Sequence, residues 1–137
     1  GKLACIIRRA DQNQKSLLLS FSTDRGRTWS ECTALEDPLG AFGVFPNLVL
    51  LDCGVMVLSY GRPGVHLSLS PDGAGREWTA PVTIVESYGQ PRRTCGYTAI
   101  HPVGPETFLL AYSLFDHRDS HGRERKAILT RRVHVRR

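Results

Sequence analysis

The stretch Ser22–Ser30, STDRGRTWS, returns forty-eight residues on as Ser70–Thr79, SPDGAGREWT, with one residue inserted. A string that recurs at such an interval counts out a structural unit. Each residue in it has a local task. Asp accepts backbone N–H groups and folds a turn on itself. Gly supplies a positive φ without steric cost, and Trp offers a large apolar surface. These are the needs of a tight connection between two strands. Ser22, Asp24, Gly26 and Trp29, and likewise Ser70, Asp72, Gly75 and Trp78, are therefore expected to stabilise turns rather than to do chemistry.

Outward from these strings the chain reads as β throughout. Aliphatic and β-branched runs of four to eight residues are broken by Gly, Pro, Asp and Asn. They are Leu3–Arg9, Ser16–Ser22, Ser30–Glu36, Pro46–Asp52, Val55–Arg62, Val65–Ser70, Ala80–Glu86, Gly96–Val103, Thr107–Ser113 and Ala127–Val135. No segment holds a 3.6-residue period over helical length. Aligned with itself, Leu18–Glu36 matches His66–Ile84, and Gly43–Gly61 matches Gly96–Leu114 at an interval of 53. The repeat is about 50 residues and four strands, the content of one β-propeller blade. The fold expected is all-β: about three incomplete four-stranded blades, near residues 1–39, 40–87 and 88–137.

Composition narrows the function classes. With 41% hydrophobic residues, a chain of 137 can bury a core. No run of 18 apolar residues occurs, so no membrane-spanning helix is expected. A net charge of +5 invites a nucleic-acid reading, but most of the 18 basic residues are scattered, apart from the tail from Arg123. No helix-turn-helix, zinc or aromatic RNA-binding pattern accompanies them. A nucleic-acid partner is therefore not expected, and an anionic small molecule fits the charge as well. Cys5, Cys32, Cys53 and Cys95 match no metal or redox spacing, and reduced thiols are expected.

The string Ser22-x-Asp24-x-Gly26-x-Thr28-Trp29 resembles the Asp box of the sialidase (neuraminidase) superfamily, and the copy at Ser70–Trp78 departs only by its insertion. The resemblance implies a six-bladed propeller of which this chain is the C-terminal half. It also implies retaining hydrolysis of a terminal carboxylated sugar through a Tyr nucleophile, with no cofactor or metal. In that family three arginines grip the sugar carboxylate, a Glu activates the Tyr, and an Asp serves as acid/base. An Arg fork binds a carboxylate with two parallel bonds, and a Tyr hydroxyl attacks well only beside a base.

Three positions match the pattern. Arg8, with Arg9 as the alternative by register, ends the first strand. Arg62 ends a later one before Pro63, and Tyr97 stands in the Gly-Tyr-Thr context of the nucleophile. Arg8 and Arg62 are the implied substrate-binding residues and Tyr97 the catalytic one. The family's remaining Arg, Asp and Glu would fall in blades before Gly1, so the chain by itself is expected to be inactive. The partner expected is an acidic-sugar glycan or small molecule, with self-association through exposed strand edges as a further expectation. Two other readings stay open: a sialidase-like propeller that binds glycans with altered or no catalysis, and a repeat-propeller interaction module. The segment Asp116–Arg125 reads as a flexible surface loop, and Glu31, Glu36 and Glu86 as outer-strand residues.

Overall fold

A computed structural model of the chain describes residues 1–8, 17–35, 43–62, 64–86 and 96–136. Every regular element in it is a strand: β1 (Leu3–Ile7), β2 (Leu18–Ser22), β3 (Thr33–Ala34), β4 (Val44–Leu50), β5 (Met56–Gly61), β6 (Val65–Ser70), β7 (Val82–Val85), β8 (Thr98–Gly104), β9 (Thr107–Arg118) and β10 (Glu124–His134). They form three antiparallel sheets in which each strand pairs with its neighbour in sequence: β1-β2-β3, β4-β5-β6-β7 and β8-β9-β10. The all-β class follows from the period-two alternation, and each sheet is a plain meander. Arg9, Glu36 and Cys95 lie outside the described residues. Cys5, Cys32 and Cys53 are free thiols.

The sheets stack face to face through two cores. Between the first and second sheets, Leu17, Leu19 and Leu35 meet Leu58 and Tyr60. Between the second and third, Val57, Val65 and Leu67 meet Phe108, Leu110 and Tyr112. The alternation of β5 explains how one strand serves both. Met56, Leu58 and Tyr60 point one way, Val57 and Ser59 the other, and all five are buried. Such a doubly covered strand reads as a continuous apolar run, as Val55–Leu58 does.

The two recurring strings fold alike. Ser22 Oγ donates to Asp24 Oδ1 at 2.8 Å and accepts from the Gly26 N–H at 2.8 Å. Asp24 also accepts from the Arg27 and Thr28 N–H groups and from Thr28 Oγ1. Trp29 Nε1 donates to the Gly26 carbonyl. In the second string, Ser70 bonds Asp72, the Gly75 N–H reaches Ser70 Oγ, and Trp78 Nε1 reaches the Gly75 carbonyl. Gly26 and Gly75 both sit at positive φ, 85° and 70°. The inserted residue is absorbed inside the turn, where the Ala74 N–H takes a bond to Asp72. Trp78 then packs on the core between the first two sheets, whereas Trp29, its counterpart, is 44% exposed.

Bonds from the Thr28 side chain and backbone, and then from Ser22, favour the charged carboxylate of Asp24 and hold its pKa near 2, below the ordinary 3.8. A depressed acid contributes stability that is present above pH 3.8 and lost as pH falls toward 2. Asp72 is shifted the same way, chiefly by Ser70. Urea midpoints followed by Trp fluorescence should therefore drop between pH 4 and pH 2. Asp24→Asn should flatten that part of the profile, and an unaltered slope in the variant would refute the assignment.

The segment Asp116–Arg125 departs from the sequence expectation of a flexible loop. β9 continues to Arg118 and β10 begins at Glu124, so Arg118 pairs with Glu124 and His117 with Arg125. Only a short turn remains, held by Asp119. Its carboxylate accepts from the His121 and Arg123 N–H groups and from Arg125 Nε at 3.0 Å. A polar composition marked this as loop, but ladder hydrogen bonds are indifferent to side-chain polarity, and an Asx-type cap closes the hairpin.

Candidate functional site

The expected site residues sit at one end of the sheets. β5 ends at Gly61, and Arg62 follows it with φ at 55°. Gly96 and Tyr97 lead into β8, and Gly96 has φ at 61°. Two observations bring these segments together. A Cβ on Gly61 would lie 1.8 Å from the Gly96 carbonyl oxygen, so the two backbones touch. The Arg62 guanidinium carbon lies 5.9 Å from the centre of the Tyr97 ring, within cation–π range. A further ring joins them: Phe45 lies 4.5 Å from Tyr97, centre to centre, at a tilt of 37°.

Backbone strain gathers here. Phe45 (φ 51°) and Arg62 are left-handed non-glycine residues, and Gly64 and Gly96 are left-handed neighbours. Each such non-glycine costs about 1–3 kcal/mol and persists only where surrounding structure enforces it. The enforcement is visible. Ser59 Oγ donates to Thr98 Oγ1 at 2.8 Å inside the interface, and Thr98 Oγ1 donates to the Phe45 carbonyl at 3.1 Å. Asn47 Nδ2 donates to the carbonyls of both Phe45 and Thr98. The Ser113 N–H closes the far side on the Tyr97 carbonyl.

Tyr97, 45% exposed, opens onto a groove of about 680 Å³ lined by Phe45, Ala99, Ala111, Phe115 and Ile128 among others. No carboxylate lines this groove among the described residues, and Lys126 is its cation. Chemically the place offers an Arg fork, an open phenol and an apolar wall. It lacks a general base of its own for the phenol. Among the described residues no three His, Cys, Asp or Glu side chains cluster as a metal-ligand set.

Arg8 is exposed one residue past β1. Registers locate it against Arg62. Leu3 pairs with Ser22 as Met56 pairs with Ser70, so Arg8 holds the place of Gly61, and Arg9 holds the place of Arg62. Glu86 directly follows β7, and Glu31 precedes β3 on an exposed stretch. The eight turn residues lie in the connections after β2 and β6, on the sheet end opposite Arg62 and Tyr97.

Phe45 was not legible as a site residue. The self-alignment set Val44 against Tyr97 at an interval of 53. The observed pairs Leu48 with Leu58 and Ile100 with Leu110 shift both strands by 52 instead, which sets Phe45 against Tyr97. The irregular register between Val44 and Asn47 accounts for the slip. Comparison with known proteins finds no match, whether to a family model, a curated protein or a solved structure.

Proposed function

We propose that the chain is part of a sialidase-like propeller whose sheet-end site takes a terminal carboxylated sugar of the sialic acid class. Arg62 serves as carboxylate clamp and Tyr97 as nucleophile toward the anomeric carbon. The observation that carries this reading is the approach of Arg62 to Tyr97 across two sheets, at a knot of left-handed backbone. Three successive meanders stacked on their faces, with two turn motifs built alike, support the propeller part of it. The Arg fork fits a carboxylate with paired, charge-assisted bonds. The Phe45 and Tyr97 rings supply the apolar face a pyranose ring stacks on.

A second reading has its own observation. No carboxylate lines the groove beside Tyr97 among the described residues. A phenol without a base is a weak nucleophile at neutral pH. The chain as it stands then binds the sugar without turning it over.

Ligand-observed NMR with N-acetylneuraminate tests the site. Arg62→Ala should weaken binding by roughly 10- to 100-fold, since a hydrogen bond to a charged group is worth about 1.5–3 kcal/mol. A neutral hexose should not compete, and circular dichroism should report an unchanged sheet. Equal affinity for wild type and variant, or equal binding of the neutral sugar, would remove Arg62 from the site. Release of an aryl leaving group from a sialoside by this chain would eliminate the binding-only reading.

A further inference from the structure

The first two sheets each carry a fourth strand on their third: β3 pairs with β2, and β7 with β6. In the third sheet the strand in that position is β10, paired with β9 on one side. Among the described residues no strand pairs with its other side. This edge is long, eleven residues against five and six in β2 and β6. At about 3.4 Å per residue it offers over 30 Å of ladder positions. It also carries an exposed apolar side chain at its middle, Ile128, 80% exposed.

Charge decides what fits there. On β10 and its flanks stand Arg123, Arg125, Lys126, Arg131, Arg132 and Arg136, all exposed. Asp119 engages Arg125 at 3.0 Å, and Arg131 Nε donates to the Tyr112 hydroxyl, leaving Lys126, Arg132 and Arg136 directed to solvent or the groove. A second copy pairing edge to edge would set this basic row against itself, and like charges opposite one another on a sheet are destabilising. The row that keeps two such edges apart favours the opposite charge. We propose that the free edge of β10 takes an extended acidic segment of another polypeptide as an antiparallel fourth strand. Main-chain hydrogen bonds would give the affinity, and carboxylates opposite Arg131 and Arg132 the selection. Ile128 and Thr130, on the open face, suit small apolar residues at alternate positions. The inference rests on the sheet topology and stands apart from the sugar site.

A labelled ten-residue peptide alternating Val and Glu is the probe, read by fluorescence anisotropy and by amide hydrogen exchange of β10. Binding should slow exchange along β10. Arg132→Glu with Arg136→Glu should weaken it at least tenfold, and so should raising the salt from about 0.05 to 0.5 M. A peptide with proline at every second position, which cannot complete the ladder, should fail to bind. Three results would overturn the proposal. One is equal binding of the proline peptide or of a DNA oligonucleotide, which would mean unspecific anion attraction. Another is binding without β10 protection. The third is a concentration-dependent dimer protected along β10, which would assign the edge to a second copy.

Discussion

Gly61→Ala should cost the fold about 3 kcal/mol or more and disable the sugar site with it. The new Cβ would sit 1.8 Å from the Gly96 oxygen and 2.5 Å from its carbonyl carbon. Both are backbone atoms, so no side chain can swing aside. Overpacking in a core costs about 1–3 kcal/mol where side chains can give, and more where they cannot. The relief open to the protein is to part the second and third sheets at that end. Parting them moves Tyr97 from Arg62, so affinity for a carboxylated sugar should fall together with stability. Urea midpoints and the N-acetylneuraminate titration read the two effects on one sample. A stability loss under about 1 kcal/mol would show that the backbones do not touch as described.

Phe108→Ala should be as severe by the opposite route. Phe108 is fully buried and packs with Val57, Val65, Leu67 and Leu110 between the second and third sheets. Removing a buried Phe side chain deletes transfer energy and leaves a cavity, together about 3–5 kcal/mol. A domain of this size is stable by about 5–15 kcal/mol, so the variant stands near the threshold of unfolding. Phe108 lies toward the far end of β9 from Tyr97. The folded fraction should therefore keep the affinity of the wild type, which separates this variant from Gly61→Ala. A loss below about 1.5 kcal/mol would mean that the two sheets do not share a core there.

How far the sequence reached differs between strands and site. All ten strands were legible, because alternation of apolar residues over a few positions is a local property of the chain. The turn strings were legible to the level of single bonds. Ser22, Asp24, Gly26 and Trp29 lie within eight residues, and their partners are one another. The β9–β10 hairpin was misread at its tip, since an Asp-capped turn and a flexible loop share one polar composition. Phe45 was missed because an irregular register displaced the alignment by one residue, and one residue on a strand is a change of face.

Alternation and turn chemistry were thus settled by residues near one another along the chain: an all-β meander, repeated, with its connections stabilised by Ser, Asp, Gly and Trp. What only the tertiary structure decided is which residues of different sheets meet. Arg62 and Tyr97 are thirty-five positions apart, and their approach depends on two glycines whose missing side chains let backbones touch. It depends equally on Phe108 and Val57 interlocking behind them. Such contacts form because buried apolar area must be shared between faces, a condition on the packed whole that no single segment carries.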